Sequence, residues 1–191
     1  MDQHQLTIVI GVIVALVVIA AISFLLARER RSKQLRQRFG PEYDRVLKKE
    51  GEVRRAEGVL QMRAKRHDKF SLRPLSESSR LDFAERWKTV QSQFVDEPKG
   101  AVAQADLLVN EVMVARGYPM ADFEQRAADI SVDHPVVVEN YRAAHAIAQR
   151  HSTGEASTED LRKAMVHYRS LFEELLEDSS AERAERKEKR A

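Results

Sequence analysis

Four histidines in the C-terminal half have the side chains best suited to acid–base chemistry or metal binding near neutral pH. They stand at positions 134, 145, 151 and 167. His145 and His151 are six residues apart, about 600° around a helix, so they point in different directions and do not form a metal-binding pair. His145 and His167 fall near the inward faces of two successive predicted helices, beside Tyr141 and Tyr168. We interpret them as core histidines satisfied by hydrogen bonds, with an unrecognised active site around His145 and His167 as the alternative.

The rest of the chain offers little further catalytic chemistry. It contains no cysteine, which excludes disulfides, thiolate zinc sites, iron–sulfur clusters and a cysteine nucleophile. The carboxylate pairs at 96–97 and 159–160 stand at predicted helix starts, where capping and the helix dipole explain them. Phosphate-binding glycine loops, the GxSxG nucleophile motif and HExxH are absent from the sequence. We therefore predict no catalytic residue, no metal and no cofactor.

Two loops have sequences unusual for simple connections. One is Arg116-Gly117-Tyr118-Pro119 and the other is Asp133-His134-Pro135. Each contains what a helix boundary needs, and each could also line a binding surface, because loops carry much of protein function. Together with the histidines and tyrosines above, they define a candidate binding surface, which comprises Arg116, Tyr118, Asp133, His134, Tyr141, His145, His167 and Tyr168.

A set of predicted helices from position 74 onward positions these side chains. Apolar residues recur there every three or four positions, without the alternation typical of a strand. The first apolar stripe includes Leu81 and follows a predicted N-cap at Ser79. The second helix begins at Pro98 and ends at Gly117. A short third helix has Met120 on its inner face.

Two more helices complete this region. One opens at Asp133-His134-Pro135, and the last is capped by Ser157 with Asp160. Five helices joined by short loops over residues 74–178 predict a small antiparallel α-helical bundle. A region of about 105 residues can bury its own core without a metal or a disulfide. The charged segment 179–191 lacks apolar anchors, which predicts disorder.

A long apolar run precedes these helices. Residues 6–27 hold 19 apolar side chains and no charge. At about 1.5 Å per residue, such a helix is roughly 33 Å long, enough to cross a hydrocarbon core of about 30 Å. A cleaved signal peptide needs a basic leader and a small-residue cleavage site, which the sequence lacks, and a buried core helix would leave no polar face for water. We therefore predict a transmembrane helix at 6–27.

Lysine and arginine are distributed unevenly about this run. None occurs in residues 1–27, whereas six occur between positions 28 and 38. The positive-inside rule then places residues 1–5 outside and the remainder in the cytoplasm, as in a single-pass protein of the bacterial inner membrane. We expect the same cations to contact anionic lipid headgroups. They are Arg28, Arg30, Arg31, Lys33, Arg36 and Arg38.

The formal net charge of +2 conceals two opposed blocks. Residues 28–73 carry 16 Lys and Arg against 7 Asp and Glu, a net charge of +9. Residues 74–180 carry 11 against 19, a net charge of −8. The charges therefore predict that the acidic bundle folds back onto the basic segment or binds a basic partner, and both outcomes remain open.

The basic segment 28–73 has an interrupted heptad seam. Gly51 and Gly58 each destabilise a helix by about 1 kcal/mol relative to Ala, and Glu50 and Glu57 occupy seam positions. We therefore expect a solvated, weakly packed helical stalk and no strong coiled coil. Aromatic residues are not interleaved among its cations and no recognition motif is present, so nucleic acid is not an expected partner. The apolar seam positions are Phe39, Tyr43, Val46, Val53 and Leu60.

Several short strings resemble those of a known group of proteins. They are RFGPEYD at 38–44, FVDEP at 94–98, ARGYP at 115–119, DHP at 133–135 and ENYRAAH at 139–145. With these strings, the stretch from Arg38 to Glu177 resembles an uncharacterised family of bacterial single-pass membrane proteins, often labelled hypothetical or secreted. The resemblance implies a bacterial source and no assigned activity. A secreted location conflicts with the charge asymmetry, which favours a cytoplasmic domain.

These patterns predict an all-α protein with an N-terminal transmembrane helix, a basic helical stalk and a small antiparallel bundle of about five helices. The predicted function is a membrane-anchored cytoplasmic interaction or scaffold module without catalytic activity, with the bilayer and an unidentified protein as partners. One alternative is the enzyme around His145 and His167. Another is a structural membrane oligomer, since Gly11 and Ala15 form a small-xxx-small pair that favours helix association.

Overall fold

The computed structural model describes residues 3–152 and 154–177, and the side chains of all of these except residues 3–10, 12, 14, 15 and 152. The described residues form eight α-helices and no strand, which confirms the predicted all-α class. The predicted tail at 179–191 and the first two residues lie outside the described part. The helices are α1 (Gln3–Phe39), α2 (Pro41–Glu50), α3 (Val53–His67), α4 (Glu77–Gln93), α5 (Pro98–Ala115), α6 (Phe123–Ile130), α7 (Val138–Ser152) and α8 (Thr158–Glu177).

Helix α1 continues from the apolar run into the basic segment without a break. Every side chain from Leu16 to Ala27 is exposed, whereas Leu35 and Phe39 near the end of the helix are buried. Among the described residues, no helix is both long enough and apolar enough to cross a membrane. The apolar run starts among residues whose side chains are outside the described part. The span predicted at 6–27 therefore stays a prediction.

Helices α4 to α8 pack around the larger of two hydrophobic cores, which confirms a helical bundle. Helix α8 packs against both α5 and α7, and α4 packs against α5. Trp87 of α4 stacks on Phe172 of α8 with ring centroids 4.6 Å apart. Helices α7 and α8 are antiparallel, because Asn140 contacts Ser170 while Tyr141, one position later, contacts Tyr168.

Two residues that were predicted to face this core are exposed instead. Leu81 is 67% exposed, because the inward face of α4 passes through Phe83, Trp87 and Val90. Met120 is 86% exposed, because it lies in the loop before α6. Both helices were predicted correctly. The inward face of α4 was assigned to the wrong residues, and α6 was predicted to begin too early.

The caps of the helices follow local side-chain chemistry. Ser76, and not the predicted Ser79, caps α4, because its Oγ accepts a hydrogen bond from the Ser79 N–H at 3.1 Å. The predicted cap of α8 is confirmed. There the Asp160 N–H donates to Ser157 Oγ at 3.2 Å, and the Ser157 N–H donates to Asp160 Oδ2 at 3.1 Å.

The expected weak packing of the stalk is wrong, because its helices enclose a second core. Gly51 ends α2 with φ +72° and lets the chain reverse, so the predicted helix is split by a turn. Glu57 is buried and accepts a hydrogen bond from Tyr43 Oη at 3.1 Å, so the charge in the seam is paired. Val53 is 41% exposed and does not join the core. The core residues are Leu35, Phe39, Tyr43, Val46, Ala56, Leu60, Ala64 and Val132.

Helices α1, α2 and α3 alternate in direction. Arg36 of α1 pairs with Asp44 of α2 at 3.3 Å, across the turn at Gly40, so these two helices are antiparallel. Arg31 donates a hydrogen bond to Gln61, and Arg38 lies 3.6 Å from Asp68. Both contacts join positions thirty residues apart, which makes α3 parallel to α1.

Candidate functional site

A fully buried carboxylate links the two cores. Glu42 lies in the first turn of α2, after Pro41, and is 0% exposed. Arg142 of α7 donates to both of its oxygens, at 2.8 Å to Oε2 and 3.0 Å to Oε1. Arg63 of α3 donates to Oε1 at 2.6 Å. A bidentate contact between a guanidinium and a carboxylate fixes the relative orientation of the two side chains and also pairs their charges. We call Glu42, Arg63 and Arg142 the Glu42 junction.

A second carboxylate, that of Glu139, offsets part of the positive charge around this junction. Glu139 Oε1 lies 3.4 Å from Arg142 Nη1 and 3.6 Å from Arg45 Nε. Burial lowers the pKa of the Arg142 guanidinium, and the negative charge of Glu42 opposes that shift. A buried charge is tolerated only when it is paired, so removal of one member leaves the others uncompensated.

Helix α3 makes two further polar contacts with the bundle. Arg66 Nε donates to Asp129 Oδ1 at 3.1 Å, and Asp129 is 1% exposed. His67 Nε2 lies 2.7 Å from Asp133 Oδ2. These contacts are the folded-back arrangement that the opposed charge blocks predicted as one of two outcomes.

The two unusual loops meet at this boundary. Tyr118 Oη donates to Asp133 Oδ2 at 3.2 Å. Arg116 Nη1 donates to the Leu175 carbonyl at 2.6 Å. His134 Nδ1 lies 3.1 Å from Oε1 of Glu174, in the same turn of α8. Arg116 therefore satisfies a carbonyl group at the C-terminal end of α8, where such groups lack partners within the helix, while His134 contacts a side chain of the same turn.

The predicted tyrosines also meet. The ring centroids of Tyr141 and Tyr168 are 6.3 Å apart in the larger core. Tyr141 Oη donates to Asn110 Oδ1 at 3.1 Å and accepts from Arg126 Nε at 3.1 Å. Burial, reinforced by the charge of Asp106, raises the pKa of Tyr141 to about 12 and raises that of Tyr168 as well. Both hydroxyls are thus protonated at neutral pH, and that of Tyr141 acts as a hydrogen-bonding group.

The two histidines of the predicted site lie apart. His145 stacks on Phe123 with ring centroids 3.6 Å apart, and burial lowers its pKa. His167 Nδ1 lies 3.0 Å from Asn140 Oδ1. Asn140 and His145 are five residues apart on α7, about 140° around the helix, so His167 contacts a different side of α7 from the one that carries His145. The described geometry brings together the tyrosines of the predicted active site, but not its histidines.

Most of the candidate binding residues are interior. Asp133, His145 and His167 are partly exposed. The other five face neighbouring helices, because α5 to α8 close over them, and a binding role for the whole set stays a prediction. The buried five are Arg116, Tyr118, His134, Tyr141 and Tyr168.

The predicted membrane-surface cations lie along the last four turns of α1. Arg28, Arg30, Arg31, Lys33 and Arg36 are exposed, whereas Arg38 is half-buried. Lys33 pairs with a glutamate one turn earlier in the same helix at 2.8 Å. Contact of these cations with lipid headgroups is not represented in the structure and stays a prediction.

The Glu42 junction was not predicted from the sequence. Glu42 follows a helix-starting proline, where the helix dipole alone explains a carboxylate. Its partner Arg142 is 100 positions away. The signal lay in the strings RFGPEYD and ENYRAAH, each of which contains one of the two residues. The two strings lie in different charge blocks, but each holds further charged residues, so neither shows which charge is buried.

Comparison with family models, with curated proteins and with solved structures finds no match to this chain. The resemblance to bacterial single-pass membrane proteins therefore stays a prediction. Within the described residues, no group of three or more histidine, aspartate or glutamate side chains is arranged as ligands of a metal ion.

Proposed function

We propose that the protein is a single-pass membrane protein whose helical domain is a cytoplasmic interaction or scaffold module without catalytic activity. The observation that carries the proposal is the character of α1. It exposes its apolar side chains from Leu16 to Ala27, and then buries Leu35 and Phe39 in the smaller core. Large continuous apolar surfaces are rare on soluble monomers and mark contacts with a membrane or a partner.

The sequence supports a bilayer as the cover for this surface. The apolar run of 22 residues, 6–27, matches the thickness of a hydrocarbon core. The cations that begin at Arg28 orient the helical domain towards the cytoplasm. Because α1 ends inside the smaller core, the domain is attached to its anchor by a continuous helix.

The use of polar side chains supports an interaction role. Tyr141 and His167, which suggested catalysis, serve contacts between helices. The bundle surface exposes carboxylates, including Asp96 and Glu97 next to Val95, which is 82% exposed. Tethering an acidic module to a membrane raises its effective concentration towards basic partners there.

Two arginines in the apolar run test the anchor. An arginine near the middle of a spanning helix destabilises insertion by about 2.5–3.5 kcal/mol, so we expect Leu16→Arg with Ile19→Arg to release the full-length protein from membranes under alkaline carbonate. Gln91→Arg with Gln104→Arg, at exposed bundle positions, is the matched control and should stay in the membrane fraction. Release of the wild-type protein, or digestion of a C-terminal tag by protease added to intact spheroplasts, would contradict the anchor or its orientation.

The same anchor variant tests the interaction role. After cross-linking in cells, the wild-type protein should recover a partner, and the released Leu16/Ile19 variant should recover less of it at equal expression. A partner that is recovered equally with both proteins would show that tethering has no part in binding.

A further inference from the structure

We propose that the turn between α2 and α3 forms a second membrane contact, which binds anionic lipid headgroups through Lys48, Lys49, Arg54 and Arg55. We call residues 48–55 the α2–α3 tip. The inference rests on the membrane anchor proposed above. It adds the surface that sets the orientation of the helical domain on the bilayer.

The position of the tip along α1 follows from two independent sets of contacts. On α2, Tyr43 Oη lies 3.5 Å from Ser32 Oγ, and Asp44 pairs with Arg36. Because α2 is antiparallel to α1, its last residue, Glu50, is level with about residues 25–30 of α1. The end of α2 therefore lies beside the end of the apolar run.

Helix α3 gives the same level. It is parallel to α1 with a constant offset of thirty, set by Arg31 with Gln61 and by Arg38 with Asp68. The first residues of α3, 53–55, are therefore level with about residues 23–25 of α1. Since the apolar run ends at Ala27, the tip lies at the depth where lipid headgroups begin.

The tip and the adjacent part of α1 are strongly cationic. Residues 28–33 and 48–55 together carry eight Lys and Arg against three Asp and Glu, a net charge of +5. Lys48, Lys49, Arg54 and Arg55 are all exposed. Arg55 Nε lies 3.5 Å from Oε2 of the exposed Glu52. The other three cations make no ion pair within the described part of the chain. Their charges are thus available to an external anion.

The four arginines of α3 are sorted along its length, whereas its one lysine, Lys65, is exposed near the end. Arg54 and Arg55 at its first turn are exposed, whereas Arg63 and Arg66 near its end pair with buried carboxylates of α2 and α6. Packing within the protein therefore explains the distant pair but not the pair at the tip. Val53, which is 41% exposed between them and the turn, adds an apolar side chain at the level of the headgroups.

Fluorescence quenching in nanodiscs that contain the full-length protein tests this contact. The chain has no cysteine, so Val53→Cys gives one site for a fluorophore without changing the charge of the tip. Lipids with a nitroxide on the headgroup should quench this probe in discs containing phosphatidylglycerol, and much less in discs of phosphatidylcholine alone. A probe at Gln91→Cys, on the exposed face of α4, should not be quenched in either disc.

A charge variant decides whether the contact is electrostatic. Each cation near an anionic leaflet contributes roughly fivefold to binding, so replacing the four tip cations with Gln should lower the ratio of docked to undocked protein by more than one hundredfold. The matched control replaces four exposed bundle cations with Gln and should leave quenching unchanged. These are Lys88, Lys99, Arg162 and Lys163.

The outcomes separate this inference from the anchor. A probe at Val18→Cys, deeper in the apolar run, that is quenched by nitroxide on lipid acyl chains, with an unquenched tip probe, overturns the tip contact alone. An unquenched Val18 probe overturns the anchor. Equal tip quenching in both discs, or in the four-cation variant, overturns headgroup recognition. Release by millimolar inorganic phosphate but not by chloride at the same ionic strength would reveal a phosphate site instead of a lipid surface, and would also overturn it.

Discussion

Replacing Glu42 with glutamine tests the contact that joins the two cores. Glu42 is 0% exposed and accepts three hydrogen bonds from two guanidinium groups. Glutamine keeps the shape but removes the charge, and it presents an amide donor where an acceptor is needed. The side chains of Arg142 and Arg63 are only 9% and 16% exposed, so water relieves little of the resulting imbalance. Removal of one partner from a buried pair destabilises by about 3–5 kcal/mol, which is the loss that we expect.

Denaturant unfolding of the full-length protein in detergent measures this loss. Circular dichroism follows all helices, while the fluorescence of Trp87, the only tryptophan, follows the larger core. If the junction couples the two cores, the two signals coincide in the wild-type protein and separate in Glu42→Gln. The matched control is Glu159→Gln, whose carboxylate lies 2.7 Å from Arg162 but whose side chain is 56% exposed. An exposed pair is screened by water and salt, so this variant should change the stability little.

A double substitution separates unpaired charge from lost packing. Adding Arg142→Met to Glu42→Met removes the bidentate pair, and a buried pair replaced by apolar groups is often close to neutral. Only Arg63, which is 16% exposed and also contacts Ser131, is left without its carboxylate. We therefore expect the double variant to recover part of the stability that Glu42→Gln loses. A loss below about 1 kcal/mol for Glu42→Gln, or one equal to that of Glu159→Gln, would refute the reasoning, because it would mean that Glu42 is solvated as an exposed carboxylate is.

Two further predictions concern local geometry. Gly117→Ala should destabilise by more than about 2 kcal/mol, because φ is +91° and a Cβ would lie 2.5 Å from the Ser71 carbonyl oxygen. Gly58→Ala, in open helical surroundings, should stabilise by up to about 1 kcal/mol, and equal melting shifts for the two variants would contradict this geometry. Burial depresses the pKa of His145 in the folded state, so the unfolded chain binds more protons and stability falls as pH drops below the ordinary value of 6.5. His145→Gln should flatten that part of the profile in denaturant titrations at several pH values, and an unchanged profile would refute it.

Two helix starts were predicted correctly from the sequence, because chemistry within one turn fixes them. Pro98 begins α5 as expected, because a missing N–H is harmless at a first helical position. Ser157 and Asp160 satisfy each other's backbone groups at the start of α8. The inward position predicted for Leu81 was wrong, because apolar residues occur on two sides of α4. Packing against α5 and α8 buries only one of these sides.

The packing of the basic segment could not be predicted in the same way. In the sequence, Gly51 is compatible with one long, locally weakened helix. In the structure its φ is +72°, and it forms a turn between two helices. In the sequence, Glu57 interrupts an apolar seam. In the structure its carboxylate accepts a hydrogen bond from the Tyr43 hydroxyl. Charge totals predicted that the two blocks would attract, but a sum of charges carries no information on which carboxylate is buried. The Glu42–Arg142 pairing depends on a fold that closes over 100 positions.

The Glu42 junction and the α2–α3 tip lie towards opposite ends of α3, and this separation makes their two tests independent. Arg54 and Arg63 are nine residues apart, about 14 Å along the helix. Effects of substitutions more than about 10 Å apart without shared partners usually add within about 0.5 kcal/mol. Neutralising the tip should therefore change the unfolding free energy by the same amount in the wild-type protein and in Glu42→Gln, and Glu42→Gln should leave headgroup quenching unchanged while the smaller core stays folded. If the tip variant also separated the two unfolding signals, the cations at the tip would belong to the internal packing of the protein and not to a lipid surface.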